Sequence, residues 1–232
     1  MNKLVEDKQN SWKIFDKISG KYDLINRVLS FGNDRTWRNK LVEHLPLKSD
    51  LSILDVATGS GDQIIAFLKS YKVKKLTGID LSNEMLLVAK EKLKSTKNVV
   101  FEMASAEEVP YPSESFDVVS CSFGIRNVSD VEKSISEMHR VLTVGGRVMI
   151  LEFGIPENSL VKFFHLTYLR HILPVVGGLL SKNFAAYSYL NKTIESFPSG
   201  EKFCDIMRKF PFETVKAYSL NFGSVMLYIG EK

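Results

Sequence analysis

Between residues 51 and 153, short apolar runs alternate with amphipathic stretches, and nothing else in the chain limits its fold as much. LSILDVA, KLTGID, 98–103, 116–122 and RVMILEF read as five strands. Their β-branched runs lack polar alternation, which fits strands buried on both faces. DQIIAFLKS, 83–94 and 131–142 carry apolar residues at helical spacing between them. Gly145 and Gly146 read as the turn into the fifth strand. Strands alternating with helices predict an α/β domain, with a parallel sheet covered by helices on both faces.

The flanks break this rhythm. In residues 1–50, Trp12, Phe15, Ile18 and Tyr22 recur at helical spacing, as do Trp37, Leu41 and Leu45, with Pro46 as an end signal. Residues 154–232 open with an aromatic helical stretch, 160–180, interrupted at Pro174 and Gly177-Gly178. Helical runs at 187–197 and 200–210 follow. The closing strands, 214–220 and 224–230, are joined by a short connection that predicts an antiparallel hairpin at the sheet edge. The predicted organisation is an N-terminal helical segment, 1–50, covering the ligand site of a domain at 51–232, with a helical cap inserted at about 156–210.

Composition narrows the function classes. The chain has 232 residues, and 31 basic against 27 acidic residues give a net charge of +4. No basic stripe stands out, so no nucleic-acid partner is expected. Cys121 and Cys204 lie far apart and form neither a metal-ligand pair nor a disulfide framework, which fits a reducing cytoplasm and no metal. The polar start, MNKLVEDKQN, is unlike a signal peptide. The apolar stretch 172–180 is about half of the ~20 residues that cross a bilayer.

The chemistry concentrates in the loop after the first strand. Asp55 precedes ATGSGD, whose Gly59 and Gly61 allow close backbone approach at the carboxyl end of a strand. Asp80 ends the second strand, where a carboxylate can accept both hydroxyls of a ribose. A dinucleotide fingerprint would place a third glycine where Ile64 stands, and Asp55 would repel a pyrophosphate. The Gly-Lys-Ser/Thr ending of a P-loop is absent. A cationic nucleoside such as S-adenosylmethionine avoids these conflicts. In the alternative reading, Asp55 and Asp80 only cap the following turns.

With these residues in view, the chain resembles the ubiquinone/menaquinone biosynthesis C-methyltransferases, within the class I S-adenosylmethionine-dependent methyltransferases. The resemblance rests on KISGKYDLINRVLSFGNDRTWR, ILDVATGSGD, SFGIRNVSD and AYSYLNKTIESFP. It implies a Rossmann-like, seven-stranded, mostly parallel sheet with an antiparallel last strand and a helical cap. It implies S-adenosyl-L-methionine as cofactor, held by Asp55, Gly59, Ser60, Gly61, Asp80, Ser105, Ala106 and Ser122. Ser105 stands where the family usually has Asn, which shortens that contact. Tyr22 falls in the segment expected to fold over the cofactor.

The implied reaction is methyl transfer to a ring carbon of a polyprenylated quinol. Demethylmenaquinol is preferred on the ATGSGD form of the loop, with a methoxy-benzoquinol or another small molecule as alternatives. Arg126 and Asn127 are the expected acceptor-side residues, the arginine stabilising a developing phenolate and the amide orienting a water or a ring oxygen. In the alternative, both brace the loop after the fourth strand. In the cap, His165 or His171 could act as a base, and Tyr187 and Tyr189 could face the ring or serve only in packing. The apolar cap reads equally as a groove for a prenyl tail, a surface lying on the inner face of a membrane, a homodimer interface or a helix packed on the sheet. A nicotinamide oxidoreductase is disfavoured by Asp55 and Ile64, and a non-catalytic cofactor-binding protein by the intact acceptor segment.

Overall fold

The buried aliphatic runs become strands of a single sheet in the computed structural model, which describes residues 8, 10–70, 73–181 and 183–232. The strands are β1 (Leu51–Val56), β2 (Val73–Asp80), β3 (Val99–Met103), β4 (Phe116–Ser122), β5 (Leu142–Phe153), β6 (Thr214–Leu220) and β7 (Val225–Glu231). Their order is β3-β2-β1-β4-β5-β7-β6. β7 runs antiparallel to both of its neighbours, and the pairs from β3 to β5 are parallel. The order reverses between β1 and β4, so their carboxyl ends diverge over a crevice.

Period-two alternation sends neighbouring side chains to opposite faces. Leu54, Val119 and Ile150 pack with Ile135 and Met138 of α6 (Val131–Val141) and Phe203 of α10 (Glu201–Met207). Ile53, Val118 and Met149 pack with Trp37 and Leu41 of α3 (Asn33–Val42) and Phe67 of α4 (Asp62–Ser70). α5 (Asn83–Lys92) follows β2, capped by the Ser82 hydroxyl, which accepts from the Met85 amide at 3.1 Å. The N-terminal region supplies α1 (Ser11–Ile18) and α2 (Tyr22–Leu29) in addition to α3.

Two expectations about glycine and proline are corrected. The stretch at 160–180 is not interrupted. α7 (Ser159–Thr167), a π turn (Tyr168–Ile172) and α8 (Leu173–Ser181) form one continuous helix of 23 residues. A proline ring crowds the carbonyl four residues back, and the wider π turn falls on that stretch before Pro174. Gly177 and Gly178 mark close packing rather than a break. A Cβ on either would run into the ring of Tyr187 or Phe184 on α9 (Phe184–Ser196). Gly145 and Gly146 lie inside β5, not before it. The pairing with β4 slips there from Phe116–Leu142 to Val118–Arg147, a bulge in which Gly145 has φ +75°.

The continuous helix also revises its apparent length, since by length and composition it could cross a membrane. One side is nevertheless committed to the body: Leu169 and Leu173 pack with Ile25, Ala186, Tyr187 and Ile194 in a third core cluster. Leu160, Phe163, Phe164, Ile172, Val175 and Leu179 face outward.

Candidate active site

The loop from β1 to α4 turns back on itself. Its Thr58 amide donates to the Ile79 carbonyl (3.0 Å), Gly59 to Asp80 Oδ2 (2.8 Å) and Gly61 to the Thr58 carbonyl (3.0 Å). Gly61 has φ +80°, and a Cβ there would lie 3.3 Å from Ala89 Cβ on α5. Position 61 therefore demands glycine for conformation and space. The close helix–sheet approach that a third loop glycine gives in dinucleotide sites is reached differently here. Gly78 on β2 makes room for Ile64, since a Cβ at 78 would lie 2.9 Å from Ile64 Cδ1.

Asp55 is 1% exposed and ties three elements together. Its carboxylate accepts from Ser120 on β4 (2.6 Å) and from Thr58 in the loop (2.7 Å). Burial outweighs these bonds and pushes its pKa up to about 6. Asp80 accepts from the Gly59 amide through Oδ2 and from the Ser82 amide through Oδ1, both at 2.8 Å. Burial raises its pKa as well, and its backbone hydrogen bonds oppose that shift.

The N-terminal helices reach onto this loop. Asp23 of α2 accepts from the Ser60 hydroxyl, and Asp16 of α1 accepts from the Ser82 hydroxyl. Lys92 Nζ lies 2.7 Å from Asp23 and 2.5 Å from Asp62. Sequence reasoning missed Asp16 and Asp23, although both fall in the segment expected to cover the site. Only the tertiary approach of α1 and α2 gives them partners.

Two chambers result. The loop chamber is lined by Gly59, Asp80, Ser105, Ala106 and Ser122 of the predicted set, with Asn127 at its edge. Lys8, Trp12, Phe15, Met85 and Glu107 complete much of its wall and carried no motif signal. Asp55, Ser60 and Gly61 are not in that lining; they shape the loop from behind. Ser105 Oγ accepts from the Glu107 amide (3.1 Å), and Ser122 Oγ donates to Gln63 (2.9 Å). This chamber suits a nucleoside that carries no phosphate. Three loop amides are already used internally, so no amide cradle of theirs remains for a pyrophosphate, and Asp80 stands at the wall.

The cap chamber lies between α2, α3, the loop after β4 and the cap helices. It encloses about 1330 Å³ including its open mouth. Ile14, Leu29, Phe153, Leu169, Leu173 and Leu190 make it mainly apolar. Several buried polar atoms along this wall have no hydrogen-bond partner among the described residues: Trp37 Nε1, Arg38 Nε, Arg126 Nε, Asn127 Oδ1 and His165 Nε2. Buried polar atoms are normally satisfied, so a group of orphans in one cavity marks a place for a polar ligand. Phe15, Tyr22, Phe123 and Asn127 line both chambers, so the two meet there.

Arg126 is buried beside Glu152, with Nη1 2.6 Å from Oε1 and 2.5 Å from the Phe123 carbonyl. His165 is held below its usual pKa by burial, against an opposing pull from the Gly154 carbonyl. Of the other cap residues, Tyr187 and Tyr189 line the chamber, whereas His171 is not in its lining.

Solved structures share this fold. A putative methyltransferase complexed with the Haloferax volcanii Trm112 activator superposes with TM-score 0.70 at 16% identity, covering 94% of this chain and 96% of that one. A Haemonchus contortus phosphoethanolamine N-methyltransferase 2 superposes with TM-score 0.65 at 17% identity, covering 90% and 56%. The strand order, the lone antiparallel β7 and the loop chamber define a class I S-adenosylmethionine-dependent methyltransferase. The chain belongs to the ubiE/COQ5 methyltransferase family, whose model matches residues 1–232. It is 40% identical, over the full length of both chains, to a ubiquinone/menaquinone biosynthesis C-methyltransferase of Geotalea daltonii. A demethylmenaquinone methyltransferase of Deinococcus radiodurans is 38% identical, over 98% of this chain and 96% of its own.

Proposed function

We propose that the protein C-methylates a polyprenylated quinol, with demethylmenaquinol as the acceptor, and that the two chambers hold cofactor and acceptor in turn. The observation that carries this reading is the junction at Phe15, Tyr22, Phe123 and Asn127, where a reacting ring would meet the methyl donor. Asp80 would hold the ribose hydroxyls, with Ala106 and Met85 as apolar walls for the base. Asp55, Ser60 and Gly61 act on the cofactor indirectly, by fixing the loop.

S-Adenosylmethionine supplies a methyl group already activated on a sulfonium. The protein's tasks are therefore positioning and proton removal. Asn127 Oδ1 and His165 Nε2 offer lone pairs to the quinol hydroxyls, and Arg126 Nε offers a donor. Loss of the hydroxyl proton makes the ortho ring carbon nucleophilic. That carbon takes the methyl, and the broken bond's electron pair stays on sulfur. The ring proton at the methylated carbon then leaves and the oxygen takes a proton back, so the net release is one proton per transfer. Cover by α1–α3 and by the cap at 156–210 excludes water from the junction.

The outward face of α7 and α8 supports contact with a membrane, from which a prenylated acceptor must be drawn. The deciding experiment incubates purified protein with S-adenosylmethionine and demethylmenaquinol under reducing conditions and follows the quinone products by mass spectrometry. A product heavier by one methylene unit is expected. Turnover of a methoxy-benzoquinol precursor alone would move the acceptor to the ubiquinone branch.

A further inference from the structure

An oxyanion on the acceptor ring needs a positive charge nearby, and the chamber wall holds two arginines in different electrostatic states. Arg126 is 3% exposed and its partner Glu152 is 0% exposed. With 2.6 Å between Nη1 and Oε1, the pair is neutral as a unit, so Arg126 gives the chamber a hydrogen-bond donor but little net field. Arg38 on α3 is different. Its guanidinium carbon lies 5.4 Å over the ring of Phe123, one of the residues that line both chambers. Its Nε is buried without a partner, and among the described residues Arg38 makes no ion pair.

The neighbouring acids are answered by other cations. Asp34 pairs with Arg27 at 2.5 Å, and Asp62 and Asp23 pair with Lys92 at 2.5 and 2.7 Å. Asp62, Asp55 and Tyr22 feel Arg38 through space, and Asp55 is already held by Ser120 and Thr58. Of the two arginines on the cap-chamber wall, Arg38 is therefore the one with no carboxylate in contact, although Asp62 and Asp55 draw on its charge through space. We infer that Arg38, rather than Arg126, supplies the net positive charge that stabilises the ionised acceptor oxygen at the junction. This rests on the reading of the cap chamber as the acceptor site. In the transfer step the acceptor O–H bond breaks and its proton passes to His165 Nε2. The carbon–methyl bond then forms as the carbon–sulfur bond breaks, the methylated carbon loses its ring proton and the oxygen takes a proton back, and Arg38 faces the oxygen while it is negative.

A nitro-substituted 1-naphthol tests this without turnover, because its phenolate absorbs in the visible. The probe is bound to the full chain in the presence of S-adenosylhomocysteine, and its ionisation is titrated. Wild type should lower the bound probe's pKa by about one to two units relative to water. Arg38→Gln should remove most of that shift, and Arg38→Lys should keep part of it. Arg38→Met, which keeps a long unbranched side chain in place of the guanidinium over Phe123, serves if the glutamine variant is poorly folded. The paired variant Arg126→Met/Glu152→Leu should keep most of the wild-type shift, because it removes a pair that is neutral as a unit and costs only the Arg126 Nε donor. A full shift in folded Arg38→Gln or Arg38→Met overturns the assignment, as does loss of the shift in the paired variant alone. A wild-type protein that does not bind the probe overturns the acceptor-chamber reading itself, and the assignment with it.

Discussion

Asp55 shows how one residue can be central to the site without facing it. Its carboxylate is buried and raised to about 6, above the usual aspartate value of 3.8. A raised acid stabilises the fold when protonated. That contribution is complete below the unfolded value and is lost as pH rises through about 6. Asp55→Asn removes this titration, so the difference in stability between variant and wild type should change by roughly 3 kcal/mol from pH 3.5 to pH 7, in the variant's favour at the higher pH. Urea denaturation across that range measures it, and a pH-independent difference would place the ordinary pKa on Asp55. Gly59 and Asp80 were legible as candidates from the loop after the first strand and the end of the second, whereas Ser105, Ala106 and Ser122 were legible only through the family resemblance; all five line the loop chamber. The indirect placement of Asp55 and Ser60 was not, because the hydrogen bonds to Ser120 and Asp23 come from distant parts of the chain.

Elements were legible where burial imposes a period. The strands at 116–122 and 214–220 match the structure, and the expected hairpin is the β6–β7 pair. The cap helix was misread because Pro174, Gly177 and Gly178 look like breakers to a local reading. Their meaning depends on what packs against them. The rings of Tyr187 and Phe184 fill the space where a Cβ would stand. Gly177→Ala should therefore destabilise the protein by about 1–3 kcal/mol despite alanine's better helix propensity. Because Tyr187 lines the cap chamber, the same change should raise KM for the quinol and leave cofactor affinity unaltered. Thermal unfolding and steady-state kinetics check both parts, and a stabilised variant would show that α8 and α9 can separate without cost.

The whole molecule presents an apolar outer face on the helix that walls the cap chamber. Phe163 and Leu179 belong to this face and are exposed. Burial of one such side chain contributes about 1.5–3 kcal/mol at most. Phe163→Ser with Leu179→Ser should lower partitioning onto anionic lipid vesicles at least tenfold, while turnover of an acceptor with a truncated tail stays near wild type. Co-sedimentation and kinetics read the two effects, and undiminished vesicle binding would remove this face from the membrane contact.

The sequence alone determined the α/β alternation, the glycine loop and the acid at the end of the second strand, since each follows from local periodicity or from backbone geometry at one turn. Only the tertiary structure decided which charges are free. Arg126 and Arg38 are alike as residue types, but the fold buries Glu152 against one and leaves the other over Phe123. Net charge at a site is a sum over neighbours in space, and those neighbours are distant in the chain.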